Sequence, residues 1–223
     1  MKILYFASTP FYVKPNPSFH LMYAMISDLL ANGDEIFFIG KENPNLEKHI
    51  PEEFANNPMF HYRLTKVSSV GKNKFALRYL NGIKYPFKAA KFVKEYMPQC
   101  DVTYIQSGAT IPYYVLVAKH YAKRQKILIN IQDMFPGSSI ASGVMPQKWM
   151  QRIFYRIQKI AYRKADKIVG ISEDMRDKFL AQDVPYEKTE VILNWFDDKT
   201  VHHVDWDNNR YVKKLGMSKD KFY

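Results

Sequence analysis

The sequence has one cysteine, Cys100, in 223 residues. That excludes an internal disulfide and a four-thiolate zinc site, and it fits a reducing compartment, the cytoplasm. No apolar run approaches the ~20 residues of a membrane-spanning helix; the longest clear stretch, Tyr113–Ala118, is far too short. The apolar start, Ile3 to Ala7, is shorter than the ~7–15 residues of a signal-peptide core and is soon followed by Pro10, so it reads as a buried first strand. The loop after it, from Ser8 to Ser18, holds Pro10, Pro15 and Pro17 but no glycine. A dinucleotide site needs Gly-x-Gly-x-x-Gly there, so that backbone amides can approach a pyrophosphate; the loop argues against NAD binding at this position. Walker A, Gly-x-Ser-x-Gly and a usable Cys/His pair are also missing. His202 and His203 stand with Asp205 and Asp207 on one tail segment, where adjacent histidines give no defined coordination geometry, and no metal site is expected. Internal repeats and low-complexity tracts are absent.

What is present is a globular composition, 47% hydrophobic and 25% charged, with a formal net charge of +11. Short apolar runs alternate with segments of helical period. Strands are expected at Lys2–Ala7, Glu35–Gly40, Met59–Thr65, Asp101–Gln106, Lys126–Gln132, Asp166–Ile171 and Thr189–Leu193. Helices are expected at Phe19–Asn32 (capped by Ser18 and ended by Gly33), Pro86–Met97, Ile111–Arg124, Gln147–Lys164 and Glu173–Gln182. Lys41–Asn57 and Asp133–Met145 read as irregular, the second as a loop that Gly137 and Gly143 make mobile. Strands alternating with crossover helices give an α/β, Rossmann-like, doubly wound and mainly parallel sheet, ending near residue 200. Beyond it, Asp207–Leu215 reads as a short helix and Asp220–Tyr223 as the beginning of a strand.

In such sheets ligands bind beyond the carboxyl ends of the strands. Those ends carry Ser8 and Thr9, Ser107, Gln132 and Asp133, Ser172 and Glu173, and Asn194. Asp133 carries the most weight: a carboxylate directly after a buried strand accepts hydrogen bonds from hydroxyl groups or acts as a base. The alternative is local capping, by Asp133 in its loop and by Ser172 at a helix start.

The positive charge concentrates in two segments. Lys72–Lys94 mixes Lys74, Arg78, Lys84, Lys88 and Lys91 with Phe75, Tyr79, Tyr85 and Phe87, which suits an anionic membrane surface. The helix Gln147–Lys164 carries a basic stripe (Lys148, Arg152, Arg156, Lys159, Arg163) beside an apolar one (Trp149, Ile153, Ile157, Ile160). It suits either a membrane or a surface helix packed on the sheet by its apolar side. RNA binding is a third reading, without a visible recognition module.

Five segments in order resemble family-4 glycosyltransferases of the GT-B fold, in the branch that builds bacterial surface polysaccharides. They are Met1-Lys2-Ile3-Leu4; Leu30-Ala31-Asn32-Gly33-Asp34-Glu35-Ile36; Asn130-Ile131-Gln132-Asp133-Met134-Phe135-Pro136; Ala165-Asp166-Lys167-Ile168-Val169-Gly170-Ile171-Ser172-Glu173; and Val191-Ile192-Leu193-Asn194-Trp195-Phe196-Asp197. The resemblance is to the N-terminal half. It implies a Rossmann-like acceptor-side domain over residues 1–200, with 201–223 as linker and start of a C-terminal donor-binding domain. It further implies sugar transfer with retention, from a nucleotide-sugar donor to a lipid-linked or polysaccharide acceptor, at the inner face of the membrane. No metal, no cofactor within this chain and no nucleic-acid partner are expected. Asp133 aligns with the family's active-site position, and Ser172, Glu173 and Asn194 with cleft-side motifs. Two departures stand out: Asn16-Pro17-Ser18 replaces a Gly-Gly pair, and no two glutamates lie eight apart, as the donor half's motif requires. The chain alone is therefore expected to be inactive; the alternative is a non-catalytic membrane adaptor subunit of a split transferase.

Overall fold

The computed structural model describes residues 1–8, 17–42, 50–67, 75–106, 108–195 and 203–221. Thr9, Lys74 and Ser107 lie outside the described residues. In chain order the elements are β1 (Lys2–Ala7), α1 (Pro17–Ala31), β2 (Glu35–Glu42), α2 (Glu52–Ala55), β3 (Phe60–Lys66), α3 (Phe75–Tyr96), β4 (Val102–Gln106), α4 (Ile111–Tyr121), β5 (Lys126–Asn130), α5 (Gly137–Ala141), α6 (Lys148–Lys164), β6 (Lys167–Gly170), α7 (Glu173–Leu180), β7 (Thr189–Val191) and α8 (Arg210–Leu215). The seven strands form one all-parallel sheet in the order β3-β2-β1-β4-β5-β6-β7. The chain winds outward from β1 to β3, returns through α3, and winds the other way from β4. The switch point therefore lies between β1 and β4, and this is where an open α/β sheet opens a crevice.

Alternation along β1 divides the core. Leu4 and Phe6 face α3, α4 and α6, and pack with Tyr85, Val93, Tyr114 and Ile129. Ile3, Tyr5 and Ala7 face α1 and α2, and pack with Met22, Ile26 and Phe54. Local chemistry sets several boundaries. Gly33, at φ +83°, ends the first helical turn-out as expected. The Ser172 hydroxyl oxygen accepts from Met175 N at 3.3 Å and caps α7, whose first turn is acidic. The Asp166 carboxylate accepts from Ile127 N (2.9 Å) and Lys119 (3.0 Å), joining the starts of β5 and β6.

Three expectations need correction. The third long helix begins at Phe75 rather than Pro86, so Pro86 sits inside it. An interior proline costs about 3 kcal/mol, but the buried stripe of Tyr85, Ala89, Val93 and Tyr96 holds α3 on the sheet and offsets that cost. The Asp133–Met145 segment is not wholly irregular: Gly137–Ala141 is helical, after a cis Phe135–Pro136 peptide. In the tail, Trp206–Asn208 is a 3₁₀ turn preceding α8, and Lys219–Lys221 is turn and bend; Phe222 and Tyr223, the rest of the expected strand start, lie outside the described residues. The Met97–Gln99 and Tyr186–Lys188 segments are also 3₁₀ turns.

Gly82 marks where α3 crosses the start of α4. A Cβ there would meet Thr110 Cγ2 at 2.8 Å. Gly82→Ala gains about 0.5–1 kcal/mol of helix preference but incurs about 1–3 kcal/mol of overpacking. The expected outcome is a net loss near 1 kcal/mol, read as a lower midpoint in urea. Cys100 is buried and its Sγ donates to Tyr96 O at 3.3 Å. Burial pushes its thiol up to about 12. An aromatic disulfide reagent at about pH 8 should leave it untouched in the native chain and titrate one thiol after denaturation.

Candidate functional site

The carboxyl edge of the sheet carries the expected polar rim, and its spacing decides which groups can act together. Neighbouring strands are about 4.8 Å apart, so the edge from β1 to β7 spans roughly four such steps, near 19 Å. Ser8 closes the switch point, its N donating to Gln106 O at 3.0 Å. Gln132 and Asp133 follow β5, Ser172 and Glu173 follow β6, and Asn194 lies beyond β7. One reacting centre can reach Asp133 and the ends of the adjoining strands β4 and β6, with Ser8 after β1 two steps away. Asn194 meets only an extended ligand.

These residues differ in how much of their bonding capacity is already used. Ser172 caps α7, and Glu173 pairs with Arg176 at 2.8 Å. Gln132 donates to Asn130 Oδ1 at 3.0 Å. Asp133 is exposed, and no group among the described residues donates to its carboxylate; only its backbone O is engaged, by Phe135 N at 3.0 Å. Neither helix capping nor an ion pair therefore accounts for Asp133.

Under the rim lies a polar ladder that the sequence did not announce. The Tyr5 hydroxyl donates to Gln106, and the Asn130 amide donates to the Tyr104 hydroxyl and accepts from Gln132. The ladder follows from register. Gln106 pairs with Asn130 and Tyr104 with Leu128, so Tyr104 and Asn130 are diagonal neighbours on one face. Burial pushes the Tyr104 hydroxyl up to about 12, so at neutral pH it serves as a hydrogen-bonding group and not as a base.

Behind Asp133 the wall is aromatic. Tyr79 stacks on Phe135 (5.8 Å between centroids) and meets Phe154 edge-on (5.2 Å). Beside it opens a cleft of about 680 Å³ lined by Gln132, Asp133, Tyr155, Gln158, Lys178 and Gln182, among others. Gln158 is 4% exposed; its amide nitrogen donates to Tyr162, and its Oε1 has no partner among the described residues. Gln182 donates to Lys178 O at 3.1 Å and likewise leaves a buried Oε1 unpaired. Asp133, Gln158 and Gln182 thus line one cleft, with the Asp133 carboxylate exposed and the two amide carbonyl oxygens buried. Gln158 escaped the sequence reading because a lone glutamine in an amphipathic helix is ordinarily assigned to the polar face; its signal was its place between Phe154 and Tyr162 on the buried stripe. Lys41 was also missed. It stands at the carboxyl end of β2 with its amine 4.9 Å from the Tyr85 ring, and burial lowers it to about 8.

Among the described residues no cluster of three or more His, Cys, Asp or Glu forms a metal site, and no helix is long and apolar enough to cross a membrane. Arg78, Lys84, Lys88 and Lys91 are all exposed on α3.

The chain resembles the sucrose-phosphate synthase of Thermosynechococcus elongatus at 11% identity and a TM-score of 0.62, covering 99% of this chain and 54% of that one. It resembles the lipopolysaccharide outer core galactosyltransferase WaaB at 17% identity and a TM-score of 0.54, covering 90% and 48%. It also resembles the UDP-GlcNAc 2-epimerase of Methanocaldococcus jannaschii at 15% identity and a TM-score of 0.54, covering 87% and 46%. The chain thus spans about half the length of these structures. At such identities the likeness is one of fold, and that fold carries both transferases and an epimerase. No curated protein sequence matches the chain. The sequence profile of Glycosyltransferase Family 4, however, matches residues 21–200, most of the chain. The chain therefore belongs to glycosyltransferase family 4.

Proposed function

We propose that this chain is the acceptor-side part of a retaining glycosyltransferase. It transfers a sugar from a nucleotide-sugar donor to a hydroxyl of a lipid-linked or polysaccharide acceptor at the inner face of the cytoplasmic membrane. The observation that carries this reading is the unengaged Asp133 carboxylate at the mouth of a cleft of about 680 Å³, on the carboxyl edge of a family-4 sheet. The exposed Asp133 carboxylate offers an acceptor to a ligand rich in hydroxyl donors. In the transfer, the acceptor oxygen bonds to the sugar's anomeric carbon as the bond to the diphosphate breaks. Asp133 orients the reacting hydroxyl or receives its proton. Ser8, Gln132, Ser172, Glu173 and Asn194 form the surrounding rim; Thr9 and Ser107, proposed with them from the sequence, lie outside the described residues. The leaving diphosphate needs positive charge, which a C-terminal donor-binding domain or subunit supplies without a metal. The exposed cations of α3 hold the domain at an anionic surface.

The test supplies radiolabelled nucleotide sugars and a bacterial lipid extract to the 223-residue chain and to a longer polypeptide that adds a donor-binding half. Transfer by the longer form alone, with the donor's anomeric configuration kept in the product, is the expected result. Transfer by neither form with any donor overturns the enzyme reading. The exposed cations of α3 suit one second reading, a membrane adaptor for a separate donor-binding subunit; transfer that appears only when such a subunit is added selects it.

A further inference from the structure

We infer that α6 is the element by which this domain docks on a membrane, with Trp149, Ile153 and Ile160 seated at the headgroup boundary of an anionic bilayer. The inference rests on the membrane reading above and moves the principal contact from the α3 cations to α6.

The sequence allowed the apolar stripe of α6 to be the side packed on the sheet. The structure turns it the other way. The inward side is Phe154, Gln158, Ala161 and Tyr162, which meet the core and the cleft. Trp149 is 63% exposed, Ile153 44% and Ile160 39%. At 100° per residue these three fall within an arc of roughly 40°, one outward stripe of a helix about 25 Å long. Ile157, expected in the same stripe, is half-buried. Leu116 on the adjoining α4 is also exposed, as is Val144 just before α6.

Charge decides what covers this stripe. α6 carries Lys148, Arg152, Arg156, Lys159, Arg163 and Lys164, and neither α6 nor α4 contains an acidic residue. Lys159 pairs with Asp183 of the loop after α7; the other five cations are exposed at the flanks and ends of the stripe. A two-fold dimer built on the stripe sets the cations of one copy against those of the other, with no acidic residue of α4 or α6 to pair them. A bilayer surface supplies phosphates for the arginines and an apolar layer for Trp149 at one depth. Position agrees. α3 and α6 follow strands and run back across the sheet, so their first turns lie at its carboxyl edge. That places Trp149 beside the rim that holds Asp133, together with exposed Leu77 and Leu80 at the start of α3.

The experiment uses the full chain with Trp195→Phe and Trp206→Phe, leaving Trp149 as the reporter among its three tryptophans. Vesicles are phosphatidylcholine alone or with about one third phosphatidylglycerol. The expected result is flotation with anionic vesicles only, a blue shift of Trp149 emission, and quenching by lipids brominated near the headgroup. Trp149→Glu with Ile153→Glu should weaken partitioning at least ~10-fold with circular dichroism and thermal midpoint unchanged, because both side chains are exposed. Arg152→Gln with Arg156→Gln should weaken it roughly 10–25-fold and flatten its salt dependence. Vesicle binding with Trp149 unquenched, or binding by the double-Glu variant equal to the parent, overturns the assignment. So does a vesicle-free dimer that the double-Glu variant abolishes, or capture that only an acidic protein and no lipid provides. The two readings fail separately. Transfer to a water-soluble acceptor should survive Trp149→Glu with Ile153→Glu, and quenched Trp149 without any sugar transfer removes the enzymatic reading while keeping the docking helix.

Discussion

Asp133→Ala lowers glycosyl transfer by the enzyme that contains this domain about 10²–10⁴-fold, the span lost with a positioned acid or base. The fold should not notice. Asp133 is exposed, caps nothing and pairs with nothing among the described residues, so its removal belongs with surface substitutions worth within about 0.5 kcal/mol. Turnover and the urea midpoint, measured on the same preparation, separate the two effects. Near-parental turnover removes Asp133 from the chemistry; a shifted midpoint means that the carboxylate was holding its loop. Asp133→Asn divides the role itself. An amide still accepts a hydrogen bond but takes no proton, so activity retained by Asn and lost by Ala assigns orientation, and loss in both assigns proton transfer.

The largest stability change is expected at Phe6. Its ring is fully buried in β1, 4.6 Å from Tyr114 and 6.1 Å from Tyr85 between centroids, where sheet, α3 and α4 meet. Phe6→Ala empties a site that three rigid elements keep from collapsing, and should cost about 3–5 kcal/mol. Against a total of roughly 5–15 kcal/mol for a domain, that is a third or more of the margin. Phe87→Ala, on an exposed ring of α3, is the contrast and should stay within about 0.5 kcal/mol. Urea titrations with unchanged slope and a displaced midpoint would place the loss in the native packing; a changed slope would place it in the unfolded chain.

Much of this architecture was readable from residues alone because the signals were local. Leu4-Tyr5-Phe6 and Ile127-Leu128-Ile129 are apolar on both sheet faces and could only be buried strands. Asp133 could be placed on the edge because it follows such a strand. What went unread depended on partners distant in sequence. Locally, Pro86 signals a helix start; the packing of Tyr85 and Ala89 on the sheet overrides that rule. The Gly-Ser composition of 137–141 suggested a loop, yet its backbone closes a short helix. The Tyr104–Asn130–Gln132 ladder needs the β4–β5 register, which no single strand carries. The orientation of α6 was open because the helix is apolar on more than one side; only the placement of α4 and α7 decides which side is inside.

The two-sided character of α6 also acts as a ruler. In the docking proposed above, the flank at Trp149 meets the lipid while the opposite flank, at Gln158, borders the cleft of Asp133. An α-helix with its side chains is about 10–12 Å across. The reacting hydroxyl must therefore rise roughly that far above the headgroup plane. In that docking, the height would favour an anchored glycan short enough for its end to lie at the cleft over a long chain, whose far end stands well above it and must bend back to be extended.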